Sequence, residues 1–392
     1  MIIGGGKWQV PIVKKAKYLG FEVICSNLFK DSPAFEYADH SYVANVLDKE
    51  INLKIAKSHN IDAVITDQSD IAVNTVAYIN EKLNLDGINC DIADLYTNKY
   101  RMRKELITKG LHHPKYKICE NVDDLREFYN LLNSKIIIKP LSNQSSRGVR
   151  LIDNIDNLDR DCNFTLSHSS DGKFLAEEYI GGIEITVEGY KYKNGSHHTF
   201  AVSKKSYFEG IAGVADALQY QPEFDEFDIE EIKKINNKIF DKVPFAITHV
   251  EYKFYNGKFY LIEAAIRGGG TKVSSLLTPI ASGYDTNELL IKNATGEIVE
   301  YKYIKYTKQY AILKFFGFKS GVVESISGLE KIKEDSNILD IELEFDIGDR
   351  LLPPSDDRSR VGYFIAKAVN LNELNKTVAK VYDTLLIKIK ED

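Results

Sequence analysis

Over residues 1 to about 90, short apolar runs take turns with segments of helical periodicity, and this alternation restricts the fold more than any other feature of the chain. The runs "MIIGGG", "FEVICS" and "DAVITD" read as strands, with "WQVPIVKKAKYLG" and "DKEINLKIAKSH" as amphipathic helices between them. Strands separated by helices pair in parallel, because the chain must cross back over the sheet before it can run in the same direction again. The expectation is a parallel sheet covered by helices. The triple glycine after the first strand invites a dinucleotide-binding reading, but its spacing does not fit. No third glycine opens the helix, and the second strand ends in Ser26 and Asn27 instead of an acid that could hold a ribose.

At 392 residues the chain exceeds the roughly 250–300 residues at which a single core stops growing, so two or three domains are expected. Its 44% hydrophobic and 28% charged residues are those of a soluble globular protein. A formal net charge of -6 gives no general attraction to nucleic acids or anionic lipids. Cys25, Cys90, Cys119 and Cys162 stand far apart, with no C-x-x-C pair, and suggest neither zinc nor a disulfide framework. Without a leader-like start or a long apolar run, the chain reads as cytoplasmic.

Further along, "TNKYRMRKELITKG" reads as a basic helix ended by the loop "LHHPKYK", and "SKIIIKPL" as a strand followed by the polar loop "SNQSSRG". From about residue 305 a third, strand-rich unit with one last helix is expected. Lys139 ends the apolar run "IIIKP", where a charge is poorly placed unless an anion meets it, although a lysine snorkelling from a strand end would look the same. The serines, Arg147 and Gly148 of the following loop could cover a polyphosphate. In "AEEYIGGIE" an extended connector could offer backbone groups to an adenine edge and Glu184 could hold a ribose; surface acids on an edge strand would explain Glu177 and Glu178 equally well. The pairs His112-His113 and His197-His198 read as loop and strand polar residues.

Glu251 and Glu263 flank the hairpin "THVEYKFYNGKFYLIE", and two carboxylates facing one site are what magnesium needs when it also holds phosphates. A two-residue Asn256-Gly257 turn would send the two acids to opposite faces, while clustering Val250, Tyr252, Phe254, Phe259 and Leu261. A three-residue loop, with Phe254 opposite Lys258 and Gly257 at positive φ, puts His249, Glu251 and Glu263 on one face and is the register expected here.

Taken in order, these motifs resemble the ATP-grasp superfamily of ligases over essentially the whole chain. "IIGGGKWQVPIVKKAKYLGFEVI", "YADHSYVANVLDKE" and "ITDQSDIAVNTVAYINEKLNLDG" look like the N-terminal domain of the branch with carbamoyl-phosphate synthetases, biotin carboxylases and purine-pathway carboxylases. "HVEYKFYNGKFYLIEAAIRGGG" is similar to the metal-binding hairpin of that branch and of amino acid ligases. The resemblance implies an α/β and α+β architecture. It comprises a parallel N-terminal domain (1–92), a two-subdomain ATP-grasp core (93–303, with about 114–182 as the smaller lid) and a small β-rich C-terminal domain completing the core (304–392).

It also implies roles for individual residues. Lys99 and Lys139 would contact ATP phosphates, beneath a loop containing Ser145, Ser146, Arg147 and Gly148. Glu177, Glu178 and Ile180 would line the adenine, and Glu184 would hold the ribose. Glu251 and Glu263 would bind magnesium, with manganese as a substitute, and Arg267 would act with Lys139 in catalysis by holding the carboxylate substrate. The implied reaction is ATP-dependent joining of a small-molecule carboxylate to an amine through an acyl phosphate, with a homodimer as a possible assembly and no nucleic-acid or membrane partner. A carboxylase or kinase acting on another acceptor is the alternative. One departure stands out: Ala265 occupies a position where the family commonly has a metal-binding asparagine, and alanine cannot coordinate a cation. That departure keeps an inactive nucleotide-binding protein among the alternatives.

Overall fold

The computed structural model describes residues 1–141, 147–193, 195–209, 211, 213–306, 309–357 and 359–391. The N-terminal alternation folds as expected into a parallel sheet of Ile2–Ile3, Ile24–Asn27 and His40–Val43. Helices Val10–Tyr18, Lys49–Ser58 and Asp70–Leu83 accompany it. The third strand is His40–Val43, not "DAVITD". That segment contributes a single bridge, Ile65 to Ile2, before the backbone turns left-handed at Gln68 (φ 55°). The basic helix runs from Lys99 to Thr108, where the Asn98 side chain accepts from the Tyr100 and Arg101 amides and so satisfies two otherwise orphaned donors.

Two antiparallel sheets follow. One has four strands, in the order Tyr116–Cys119, Phe174–Glu178, Ile136–Pro140, Arg150–Ile152. Helices Val122–Leu132 and Leu158–Ser167 bury Leu125, Phe128, Leu158 and Cys162 against it. The other has eight strands, in the order Lys258–Ala265, Ala246–Tyr255, Ile183–Lys191, His197–Tyr207, Ala215–Tyr220, Tyr310–Phe315, Gly362–Ala368, Ile338–Leu343. Its last three strands come from the C-terminal segment, which therefore extends the central sheet. A small sheet of Arg350–Leu351, Gly321–Ser327 and Leu386–Lys390 and two helices, Leu329–Lys333 and Leu371–Thr384, complete that segment. The expectation of one last helix missed the shorter of the two.

The hairpin corrects one expectation and rescues its purpose. The turn has two residues, with Asn256 at φ 49° and Gly257 at φ 71°, and Tyr255 pairs with Lys258. Positive φ at both central positions is the geometry that Asn-Gly favours because it matches strand twist. The apolar side chains decide this register: Val250, Tyr252, Phe254, Phe259 and Leu261 pack in one core. Between Tyr252, opposite Leu261, and Glu251, opposite Glu263, the ladder slips by one residue at Ile262. This β-bulge reverses the facing of everything beyond it, so the two acids end as direct cross-strand partners in the register that would otherwise separate them.

Candidate active site

Period-two alternation gives the eight-stranded sheet a polar face above its core. Lys253, Glu184 and Lys205 form one row across three strands. Two residues along, Glu263, Glu251 and Thr186 form the next, and His249 opposite Glu188 the one after. Lys205 Nζ lies 2.9 Å from Glu184 and 3.0 Å from Glu251, and Lys253 Nζ lies 2.8 Å from Glu184. His249 Nδ1 is 2.7 Å from Glu188, and its Nε2 3.7 Å from Glu251. Burial alone would raise the Glu251 carboxyl, but Lys205 and His249 outweigh it and hold it well below the usual carboxylate range. Glu184 is likewise lowered, burial being opposed by Lys205 and Lys253. Burial disfavours a charged His249, yet Glu188 and Glu251 raise it to about 9.

Across a cavity of about 640 Å³, the four-stranded sheet presents Lys139 and Glu177. Lys139 meets Glu177 at 2.5 Å. Arg103, one turn after Lys99 on its helix, donates from Nε to the other oxygen of Glu177 and from Nη2 to the Ile262 carbonyl, 2.7 Å away. Arg103 is 0% exposed and Glu177 2%. Glu177 therefore holds two cations, and its strand is hydrogen-bonded on both sides; it does not present itself to a ligand as a free connector. Burial favours a neutral Glu177, but Arg103 and Lys139 bring it down to about 2. Burial also lowers Lys139, with Glu177 opposing.

The remaining residues singled out from the sequence divide. Lys99 Nζ lies 3.6 Å from Glu263, and both line the cavity with Arg147, Glu178, Tyr179 and Ile180. Gly148 itself does not line it, and a side chain there would meet His168 and Pro140 within 3 Å. Ser145 and Ser146 lie outside the described residues. Arg267 lines the cavity, but its bidentate edge grips Asp70 at 2.8 and 2.7 Å and its Nη1 donates to Gly268. Of the five N–H hydrogens on a guanidinium, two remain. The glycines after it also serve the chain itself, since Cβ atoms at Gly268 and Gly269 would collide with Asp67, Ser274 and Val273, whereas Gly270 lines the cavity with open space around it.

Sequence reasoning missed Asp70, Arg103 and Lys205. Arg103 could have been found from its i+4 spacing to Lys99, which puts both on one helix face. Lys205 could have been found from strand alternation in "SKKSY", but nothing local marks Asp70. The far wall combines Trp8, Leu313, Phe315 and Tyr363. Beside it, Thr271 and Lys272 both sit at positive φ, 53° and 60°. For a β-branched residue this is a strained conformation, of the kind that concentrates at ligand sites.

Residues 132–275, which contain Lys139, Glu184, both hairpin acids and Arg267, match the family profile described as ATP-grasp domain. The chain carries an ATP-grasp domain. Residues 314–390 match a second profile, L-amino acid ligase C-terminal domain 2. The ATP-grasp fold extends over the whole chain in solved structures. An L-amino acid ligase from Bacillus licheniformis superposes with TM-score 0.84 at 21% identity, covering 100% of this chain and 98% of its own. A phosphoribosylglycinamide synthetase from Anaerococcus prevotii does so with TM-score 0.75 at 19% identity, covering 99% and 98%. Among curated relatives, a formate-dependent phosphoribosylglycinamide formyltransferase from Prochlorococcus marinus is 29% identical over 46% of this chain and 47% of its own length. One from Hydrogenovibrio crunogenus is 24% identical over 50% and 51%. The chain spans about half the length of the curated relatives it matches. No described helix is long and apolar enough to cross a membrane.

Proposed function

We propose that this chain is an ADP-forming ligase that joins a carboxylic acid to an amine, with amino acids as the first class of acid to test. The observation that carries the reading is the cross-strand pairing of Glu251 with Glu263, made by the bulge at Ile262, beside Lys99 and Lys139. Two such oxygen donors fit magnesium, which would neutralise phosphate charge. Ala265, paired with His249 in the ladder, offers no third. The names of the relatives support C–N bond formation, and the L-amino acid ligase match at 314–390 supports amino acids.

On this reading, Lys99 and Lys139 bind the phosphates, while Pro114, Ile137, Tyr179 and Ile180 flank the adenine. Glu177 holds Lys139 in place. A carboxylate oxygen of the acid attacks the γ-phosphorus, ADP leaves, and an acyl phosphate forms; the amine then attacks the carbonyl carbon, loses a proton and expels phosphate. Asp70 fixes the Arg267 fork, whose two remaining N–H groups stabilise the oxyanion of the second step. Residues 1–92 thus contribute Asp70, 93–303 the nucleotide and metal sites, and 304–392 part of the apolar wall.

Lys139→Ala weakens nucleotide binding by about 1–3 kcal/mol, the scale of one charge-assisted contact, while Arg103 keeps Glu177 paired. Calorimetry of both proteins with magnesium and ATP measures this, and equal affinities would remove the phosphate role. The function itself is tested by a screen of acid and amine pairs for ADP release. Release that requires both partners is expected; release indifferent to the amine points to a kinase.

A further inference from the structure

On the outer edge of the N-terminal sheet three side chains from three elements converge, none of which lines the cleft. Glu22 precedes strand Ile24–Asn27, His40 opens the edge strand His40–Val43, and His59 follows helix Lys49–Ser58. One potential ligand atom from each lies within 4.8 Å of the other two. His40 Nε2 is 2.8 Å from Glu22 Oε1, and the two imidazole rings are 4.6 Å apart with their planes at 45°. Behind them, the Tyr42 hydroxyl lies 2.7 Å from His59 Nε2.

We propose that Glu22, His40 and His59 form a binding site for a borderline divalent cation, zinc in the first instance. Two imidazoles and one carboxylate are a donor set that suits zinc and disfavours magnesium, and three protein ligands leave a fourth tetrahedral position for water. Ligand atoms on tetrahedral zinc stand roughly 3.3 Å apart given its bond lengths, so no pair, all lying within 4.8 Å, has to close by more than about 1.5 Å. Side-chain rotation supplies this, because Glu22 and His40 are 67% and 43% exposed and free to move. A hydrogen bond to the Tyr42 hydroxyl orients His59, as partners behind metal-bound histidines do. An ordinary surface ion pair would need only His40 and Glu22; the second imidazole and its tyrosine are what a metal requires in addition. Bound zinc would tie the start of the second strand, the edge strand and the end of the helix into one unit.

The test is calorimetric titration of the full chain with zinc chloride in excess magnesium, which saturates oxygen-only sites such as the hairpin acids, alongside thermal melts. One zinc per chain and a raised melting temperature are expected. His40→Ala and His59→Ala should each weaken zinc binding and abolish the melting shift, and Tyr42→Phe should weaken it roughly tenfold. All three should match the unsubstituted chain in zinc-free melts and in ADP release, so failure of this site is distinguishable from failure of the ligase reading. Zinc binding of unchanged affinity in both histidine variants, or no binding by the unsubstituted chain, overturns the proposal.

Discussion

Glu263→Gln lowers ADP release by about 10²-fold or more, the scale of losing an electrostatic contact to the reacting charge, while the fold and melting behaviour persist. Glutamine keeps the shape of glutamate without its charge. The position tolerates the change because the Glu263 side chain is 31% exposed and its nearest cation, Lys99, stands 3.6 Å away. Glu251→Gln is a less clean probe, since that carboxylate also faces Lys205 and His249. Steady-state ADP release, with circular dichroism as the control, measures the effect. Unsubstituted rates in Glu263→Gln would take the metal role away from the hairpin.

The largest stability effect belongs to Glu177. Glu177→Ala leaves Arg103 and Lys139 buried together without their shared anion, and removing one partner of a buried ion pair costs about 3–5 kcal/mol. Glu178→Ala, one residue along, removes only a partly exposed contact to the Lys115 amide and changes stability little. The effect depends on pH in a definite direction. The Glu177 carboxyl is held at about 2 in the fold against an ordinary 4.5, so its contribution is complete above pH 4.5 and is lost as pH falls from 4.5 towards 2. The gap between unsubstituted and Glu177→Ala chains, read from denaturant unfolding, should narrow over that window. A gap that stayed constant down to pH 2, or no gap at neutral pH, would contradict this account of the triad.

Legibility in the sequence follows physical range. The N-terminal alternation, the basic helix and the hairpin are local patterns and form close to where periodicity and turn chemistry place them, although the third parallel strand is His40–Val43 instead of "DAVITD" and the hairpin turn has two residues instead of three. The bulge at Ile262 is not local. An isoleucine there fits either register, and the slip lets Ala264 and Ile266 join the core of the five apolar side chains while Glu263 stays off that face. The Glu177 triad is hidden in the sequence for a similar reason. Two adjacent glutamates on a strand look alike in sequence, and what separates them is Arg103, 74 residues earlier, reaching the one that points inward. The Arg267–Asp70 pair spans 197 residues and joins an arginine noticed for a ligand to an acid not noticed at all. Ion pairs across elements depend on the assembled fold, so periodicity finds the strands and helices of this site and misses its buried electrostatics.

On the proposed function, the cleft activates a carboxylate as an acyl phosphate. The most direct measurement supplies ATP, magnesium, hydroxylamine and single amino acids, and quantifies ADP and hydroxamate together. Equal amounts of both are expected with an accepted acid and neither without one, and Arg267→Ala should reduce both more than it weakens ATP binding. ADP released with every acid left out would contradict that function, as would tight ATP binding with no ADP across the whole panel, the behaviour of the non-catalytic nucleotide-binding protein that Ala265 would favour.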